Sequence, residues 1–528
     1  MTEEKKATPM YFASLRLKNV KSFGEEQVLN LRHENGAISP WTLILGDNGV
    51  GKTTLLKCLS LMIPVKFAEP ERFQLAKKLK DKGEDVEWIK EVTKISNKEW
   101  EIISNENPSV GELKRMTPFL DSINEDDINA IIRVGKGVRM NIEAELTNHV
   151  ALNTVPSKEN LITIGISIAR KEELDEIEDI TNTDHLTTAK VEEFNAPNLF
   201  AYGASRHMAS ENLEVDELKD PSYNLFSNTG DLYDAEEVLL RLYNDSQKEK
   251  NDFIEEQLKK GSLDRVLDER GDIKFEGKAA KHLRKVKEIL TKLLPHIDNT
   301  DCIIINPSGK TEGLSTTKIV EVVTPFGKVG LYDLSLGYQT MLAWVVDLAI
   351  RMFWQNPDSD NPLEEPAVVI VDEIDLHLHP KWQRTLKEYF VGNFTATQFI
   401  CTAHSPFIAQ ASEDENLCVL HESKVSPTSS EVVIENDPYI VKGWRIGQIV
   451  TNLIGVDERG PEIEKLEKER RMLIDKLEPL TPSEEVQLKE LNSKLEKLVH
   501  ITDDDDEQKL LEQVRKTAEY LRNNGKLL

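Results

Sequence analysis

The sequence predicts an α/β fold: a mixed sheet with antiparallel strands, an inserted helical lobe and a helical C-terminal region. Three stretches predict it. Gly46-Asp47-Asn48-Gly49-Val50-Gly51-Lys52-Thr53 joins the apolar run Trp41–Leu45 to the apolar-periodic run Thr54–Ile63, so a glycine-rich loop connects a strand to a helix. Ala367–Val371 is an unbroken apolar run ending in Asp372-Glu373, the pattern of a parallel strand buried on both faces. Tyr11–Val20 alternates apolar and polar residues, as a half-buried strand does.

The 528 residues suffice for several domains and an ample core. With 66 lysines and arginines against 93 acidic residues, the formal charge of −27 argues against wrapping nucleic acid with the whole surface; a local basic groove stays open. Cys58, Cys302, Cys401 and Cys418 stand far apart, so neither a disulfide framework nor a zinc site is indicated. The expectation is a reducing cytoplasm. Met1–Met10 is polar, without a signal-peptide core, and no run approaches the length that spans a membrane.

The loop at Gly46 fits G-x-x-x-x-G-K-[ST] between a strand and a helix, the context that makes such a string a phosphate cradle. Backbone N–H groups around Gly46, Asn48, Gly49, Gly51 and Thr54 would face the phosphates, and the positive end of the helix points there too. Lys52 would reach the β- and γ-phosphates of ATP, and Thr53 would ligate Mg²⁺. Ahead of the loop, Tyr11–Val20 and Gln27–Leu31 read as strands; Lys21-Ser22-Phe23 between them is either a plain hairpin turn or a loop near the nucleotide base.

Residues 71–138 are charged and helical in pattern, broken by Pro108 and Pro118. Strands return at Arg139–Thr147 and Leu161–Ala169, and the acidic stretch Glu172–Glu193 reads as loop. Leu199–Gly203 is a strand with Arg206 just beyond its carboxyl end, where ligands sit in open α/β sheets; Arg206 is either a phosphate contact or a surface arginine. Ala235–Ile297 is largely helical, without a sustained heptad, and strands resume at Cys302–Ile305 and Lys318–Val323.

Leu334-Ser335-Leu336-Gly337-Tyr338-Gln339 opens a helix, with Ser335 in the manner of an N-cap. Two carboxylates at the end of a buried strand are costly without a cation or a water to act on. Asp372 fits the role of Mg²⁺ ligand through water, and Glu373 that of general base. A strand Gln398–Ala403 ends at His404-Ser405-Pro406, where a histidine can sense the γ-phosphate. Beyond it, Leu417–Ile434 suits a hairpin and Gly443–Gly455 a short helix. Three helical segments follow: Pro461–Leu477, a second opened by the capping box Thr481-Pro482-Ser483-Glu484, and Lys509–Leu521. The expected division is 1–70 with the phosphate loop, 71–138 helical insertion, 139–210 sheet, 211–300 helical lobe, 301–435 second part of the head, and 436–528 partner-binding region.

Read in order, the phosphate loop, L-S-x-G-x-Q, V-V-I-V-D-E, L-H-L-H-P (Leu376–Pro380) and T-A-H-S-P resemble the ABC-class ATPases of the SMC, RecF and OLD group. The resemblance implies an ABC-type P-loop head and a dimer in which each nucleotide is clamped between the phosphate loop of one head and the signature motif of the other. Ser335, Gly337 and Gln339 would then serve the opposite subunit's nucleotide, Leu376–Pro380 would cross the interface, and His404 would be the switch histidine. The chain departs from SMC proteins in lacking a coiled-coil arm, and from OLD proteins in lacking an acidic nuclease cluster after His404. The glutamine loop usual in the class is not evident.

Phe200-Ala201-Tyr202-Gly203-Ala204-Ser205-Arg206 and the tail from Gly443-Trp444-Arg445 to Pro461-Glu462 are similar to the PtuA-type ATPases of Septu and retron anti-phage systems. That likeness implies slow ATP hydrolysis by a homodimer or higher symmetric oligomer, beside a separate HNH nuclease. In retrons a reverse transcriptase and its DNA product join them. The rival expectations are a RecF-like DNA-repair ATPase that binds DNA directly and a scaffold that keeps ATP without turnover.

Overall fold

The structure, a computed structural model, describes residues 9–62, 139–148, 150–170, 177–182, 198–208, 222–226, 231–260, 275–294, 299–307, 319–412, 416–426, 429–436, 444–455, 460–476 and 481–498, with isolated pieces elsewhere. Most of the expected 71–138 insertion and all of Lys509–Leu521 lie outside these residues. The chain divides into two compact units, Met1–Ile449 and Val450–Leu528.

In the first unit, β1 (Met10–Lys18) and β2 (Gln27–Asn30) precede β3 (Trp41–Gly46), and α1 (Lys52–Leu61) follows the loop. The helix α2 (Val86–Thr93) is described within the insertion. Then come β4 (Met140–Asn148), β5 (Leu161–Arg170) and β6 (Ile177–Asn182). β6 falls within the acidic stretch read as loop; as the edge strand of its sheet it pairs only with β5.

β7 (Leu199–Tyr202) leads through the two-residue strands β8 (His207–Met208) and β9 (Asp231–Leu232) to the long helices α3 (Ala235–Lys260) and α4 (Lys278–Leu293). β10 (Ile303–Ile305), β11 (Val320–Thr324) and β12 (Gly327–Gly330) form a small antiparallel sheet ahead of α5 (Leu336–Gln355). β13 (Ala367–Val371), α6 (Pro380–Gln383), α7 (Leu386–Asn393), β14 (Thr397–Thr402), α8 (Pro406–Ala411), β15 (Asn416–Ser426) and β16 (Ser429–Asn436) complete the series.

Five strands form an antiparallel sheet in the order β2-β1-β4-β5-β6. Six form the second sheet, β16-β15-β3-β14-β13-β7, in which all neighbours from β15 to β7 run parallel and β16 pairs antiparallel on the edge. The fold class is therefore the expected one, a mixed α/β head with an antiparallel component and helical elements. β3, β13 and β14 are buried along almost their whole length, which is why they carry no alternation. Their register sets Thr402 beside Ile44 and Cys401 beside Val371, so Gly46, Asp372 and His404 emerge along one edge.

Leu55, Leu56 and Leu59 of α1 share one core with Leu15 and Leu17 of β1, Ile142 of β4 and Ile370 of β13. Each such side chain contributes about 1.5–3 kcal/mol on burial. Gln398, fully buried in β14, takes the N–H of Phe12 on its Oε1 at 2.9 Å and donates Nε2 to the Phe12 carbonyl at 2.8 Å. It stands in for a strand where β1 bulges between Phe12 and Ser14.

α5 is buried along most of its length and carries a fully buried Asp347. That carboxylate accepts from the Tyr202 hydroxyl at 2.8 Å, from Arg351 Nε at 2.7 Å and from the Tyr233 N–H at 3.2 Å. With its partners all present, the buried charge costs little; a pair broken on one side costs far more.

Glu236, at the start of α3, is another buried carboxyl. Burial pushes it up to about 7, the Asp234 charge adds to this, and backbone N–H groups of Val320 and Leu331 oppose it. The folded state thus holds a proton more tightly than the unfolded chain, so stability is greatest below the ordinary carboxyl range and is lost as pH rises toward 7. Glu236→Gln is expected to raise stability by roughly 2 kcal/mol at pH 8 and to leave it nearly unchanged at pH 5. Denaturant midpoints of both proteins at the two pH values check this.

The second unit begins with a π-helix at Val450–Ile454, which follows directly on the helix Ile446–Ile449 within the short helix expected over Gly443–Gly455. Its two helices, Pro461–Ile474 and Pro482–Leu498, pack against each other and bury Leu491 and Leu495. The capping box is formed: Thr481 N–H donates to Glu484 Oε2 at 2.8 Å and Glu484 N–H to Thr481 Oγ1 at 3.4 Å. Hydrogen bonds from Lys476 and Thr481 hold the Glu484 carboxyl down at about 2.

Candidate functional site

The loop between β3 and α1 owes its shape to glycine. Gly51 sits at φ 99°, and a side chain there would press on Ser22 Oγ at 2.8 Å and the Phe23 ring at 2.9 Å. α1 starts immediately after it without a side-chain cap, so the first-turn N–H groups face outward at the loop. Lys52 curls back over the loop and donates Nζ to the Gly46 and Asp47 carbonyls, each at 2.8 Å. Burial lowers its pKa, while Asp372, Glu373, Asp47 and Asp375 pull it back up.

A cavity of about 440 Å³ opens over this loop. Asn48, Gly49, Gly51, Lys52, Thr53 and Thr54 of the loop and first helical turn line it, together with Glu373, His404, Lys21 and Ser22. Lys21 and Ser22 form the tight turn closed by the bridge between Val20 and Phe23, and both line the cavity. The His404 ring carries a buried Nε2 without a hydrogen-bond partner among the described residues, and its backbone N–H is tied to Asp375 Oδ2 at 3.0 Å. A donor or acceptor left unpaired on a cavity wall suits a polar ligand there.

Asp372 lies behind Thr53, 3% exposed. Its carboxylate accepts from Thr53 Oγ1 at 2.6 Å and, on the other oxygen, from Thr402 Oγ1. Two hard oxygens side by side at the loop fit Mg²⁺, which takes one or two protein oxygens and completes its shell with phosphates and water. Among the described residues there is no group of three or more His, Cys, Asp or Glu side chains placed to hold a metal ion. Thr402 also accepts the Glu373 N–H at 2.7 Å, so one hydroxyl orients both carboxylate residues. Glu373 itself has φ 47° and His377 φ 62°, left-handed backbone in a turn that β-strand pairing cannot continue.

Arg206, a candidate phosphate contact on sequence grounds, is 2% exposed and does not line the cavity. Its guanidinium donates to the carbonyls of Gly203 and Glu373, each at 2.7 Å, and of Asp372. Gln339 is committed likewise: its Nε2 donates to the Tyr332 and Leu334 carbonyls, each at 2.7 Å, within its own turn. Ser335 is exposed at the start of α5 and Gly337 is buried, and neither lines the cavity.

Gly337 is pressed on the turn that follows Asp372. A Cβ there would stand 2.3 Å from the His377 carbonyl oxygen. Tyr338 holds the same junction through its hydroxyl, which accepts from Trp382 Nε1 at 3.1 Å. Gly337→Ala is expected to destabilise the protein by about 1–3 kcal/mol through overpacking against backbone, read as a lower denaturant midpoint.

The residues missed by sequence reasoning are supports. Gln383 bonds the Asp375 and Leu378 carbonyls at 3.3 and 3.0 Å and accepts from Ser405 at 2.6 Å, lacing the turn to the His404 segment. Nothing in its local pattern marks it; Thr402 at least directly precedes A-H-S-P.

The profile of the AAA ATPase domain family (AAA_15) matches residues 10–409, which takes in every part of the cavity just described. The chain belongs to the AAA ATPase domain family. This AAA ATPase is 33% identical over 153 residues to the Retron Vc95 probable ATPase of Vibrio cholerae serotype O1 biovar El Tor, covering 28% of each chain. It is 30% identical over 201 residues to the Septu protein PtuA of Bacillus mycoides (strain KBAB4), covering 37% of this chain and 27% of that one. It thus spans about a quarter of the length of the curated relatives it matches. Among solved structures, the SMC head domain from Thermotoga maritima aligns at 12% identity and TM-score 0.33, over 80% of this chain and 98% of that one. No described helix is long and apolar enough to cross a membrane.

Proposed function

We propose that the chain binds ATP with Mg²⁺, hydrolyses it slowly, and closes as a homodimer or larger symmetric assembly around the nucleotide. We further infer that its nucleotide state holds and releases a separate effector nuclease in bacterial anti-phage defence. The observation that carries the reading is one cavity faced by Lys52, Thr53, Glu373 and His404, with Asp372 bonded to Thr53 behind it.

In this reading Lys52 exchanges its loop carbonyls for the β- and γ-phosphates. Thr53 and Asp372 would hold Mg²⁺, which when bound would supply neutralisation of the phosphate charge. Glu373 orients and deprotonates the attacking water, and His404 offers its unpaired nitrogen at the γ-phosphate end. Ser335, exposed and outside its own cavity, supports a role on the nucleotide of a second copy. The γ-phosphate would then bridge two copies, and hydrolysis would remove the contact that favours closure.

The names of the relatives, a retron probable ATPase and a Septu protein, support the defence setting; the partners proposed within it are an HNH-type nuclease and, in a retron, a reverse transcriptase with its nucleic-acid product. Mixing the Lys52→Ala and Ser335→Arg chains tests the shared site. Each alone should be inactive, and random pairing should restore about a quarter of wild-type turnover, since half the dimers hold one intact site. No recovery on mixing overturns the shared site. Co-purification from the native host should recover a nuclease; tight, salt-sensitive DNA binding by the isolated chain would instead favour direct DNA engagement.

A further inference from the structure

We propose that Arg206 is a positioning residue for ATP hydrolysis: from behind the turn it holds the carbonyls of Asp372 and Glu373, locks Glu373 in its left-handed backbone and so sets its side chain on the cavity wall. This rests on the reading of Glu373 as general base.

Three observations converge. β7 runs parallel beside β13 and continues the pairing past the strand end, where the Asp372 N–H donates to the Tyr202 carbonyl at 2.8 Å. Four residues further on, the Arg206 side chain turns back, and its NH1 donates to Gly203 and Asp372 while NH2 donates to Glu373. One planar fork therefore spans two successive carbonyls of the turn and the end of the neighbouring strand, a geometry that a lysine ammonium cannot reproduce.

The turn has a reason to need this. Glu373 is not glycine, yet its φ is 47°, a conformation an L-residue holds only when its surroundings impose it. Thr402 fixes the N–H side of the residue and Arg206 the carbonyl side, which sets the direction in which the Glu373 side chain leaves the backbone, on the wall of the cavity it shares with His404 and the loop. The guanidinium is nearly inaccessible, and burial lowers its pKa to about 10 against the opposing charges of Asp372, Asp375 and Glu373, so it is still a cation at neutral pH. It is not among the residues that line the cavity.

The test uses Arg206→Lys and Arg206→Met in the full-length chain, each alone and with Glu373→Gln, measuring ATP affinity and single-turnover hydrolysis. Arg206→Lys should reduce hydrolysis about tenfold or more with affinity changed less than about twofold, and Arg206→Met should be slower than the lysine variant. Neither should slow hydrolysis further once Glu373 is glutamine, because the group being aimed is gone. Loss of affinity in step with rate, or an equal fall in the glutamine background, would overturn the positioning role. If Glu373→Gln alone hydrolyses at the wild-type rate, the general-base reading fails; if that variant is slow and Arg206→Lys is not, only the Arg206 assignment fails.

Discussion

Replacing Glu373 with glutamine is expected to slow ATP hydrolysis by about 10²–10⁴-fold while leaving ATP affinity nearly unchanged. Glutamine keeps the size of the side chain, and its backbone retains the bonds to Thr402 and Arg206, so the turn should stand as it does now. What is lost is the ability to accept a proton from water. Phosphate release in a single turnover, beside equilibrium binding of a fluorescent ATP analogue, separates the two quantities. Hydrolysis at the wild-type rate would take the general base away from Glu373 and leave the cavity without an obvious candidate among its lining residues other than His404.

Lys52→Ala is expected to act on the other quantity. The ammonium lies over the loop, bonded to two carbonyls that a bound triphosphate would compete for. A charge-assisted contact of this kind is worth about 2–3 kcal/mol, so nucleotide affinity should fall roughly 30- to 150-fold. The alanine also leaves the Gly46 and Asp47 carbonyls without that donor and removes the loop's own cation from the field of Asp372, Glu373, Asp47 and Asp375. Calorimetric titration with ATP and Mg²⁺ reads the change directly, and affinity equal to wild type would count against the phosphate cradle as a whole.

The parts of the head that were legible in the sequence are those where one local pattern has one structural meaning. A glycine-rich loop between an apolar strand and a helix, and an apolar run closed by two acids, carry their context with them. Other parts depend on what lies hundreds of residues away. The hairpin Leu417–Ile434 reads correctly as a hairpin, but no local signal says that β15 lies parallel to β3 and extends the main sheet. Arg206 could be placed at a strand end, yet its direction is decided by the carbonyls of the Asp372 turn, which its own neighbours in sequence do not reveal. Gln398 and Gln383 look like ordinary polar residues until their amides are seen meeting backbone in the interior. The acidic composition of residues around β6 hid a strand because an edge strand needs only one partner and tolerates a polar face.

The neighbours of β3 bear on synthesis. Its two flanking strands, β14 and β15, both come from the far end of the head, and Phe12 waits for Gln398 across 386 residues. At about 5–20 residues per second, a ribosome needs roughly 20–80 s to deliver that span. During this interval the nascent phosphate loop has no sheet to hang on and its apolar strand has no shelter, so chaperones have a window in which to act. The last residue to line the cavity, His404, follows β14, so the cavity is complete only once translation has passed that strand.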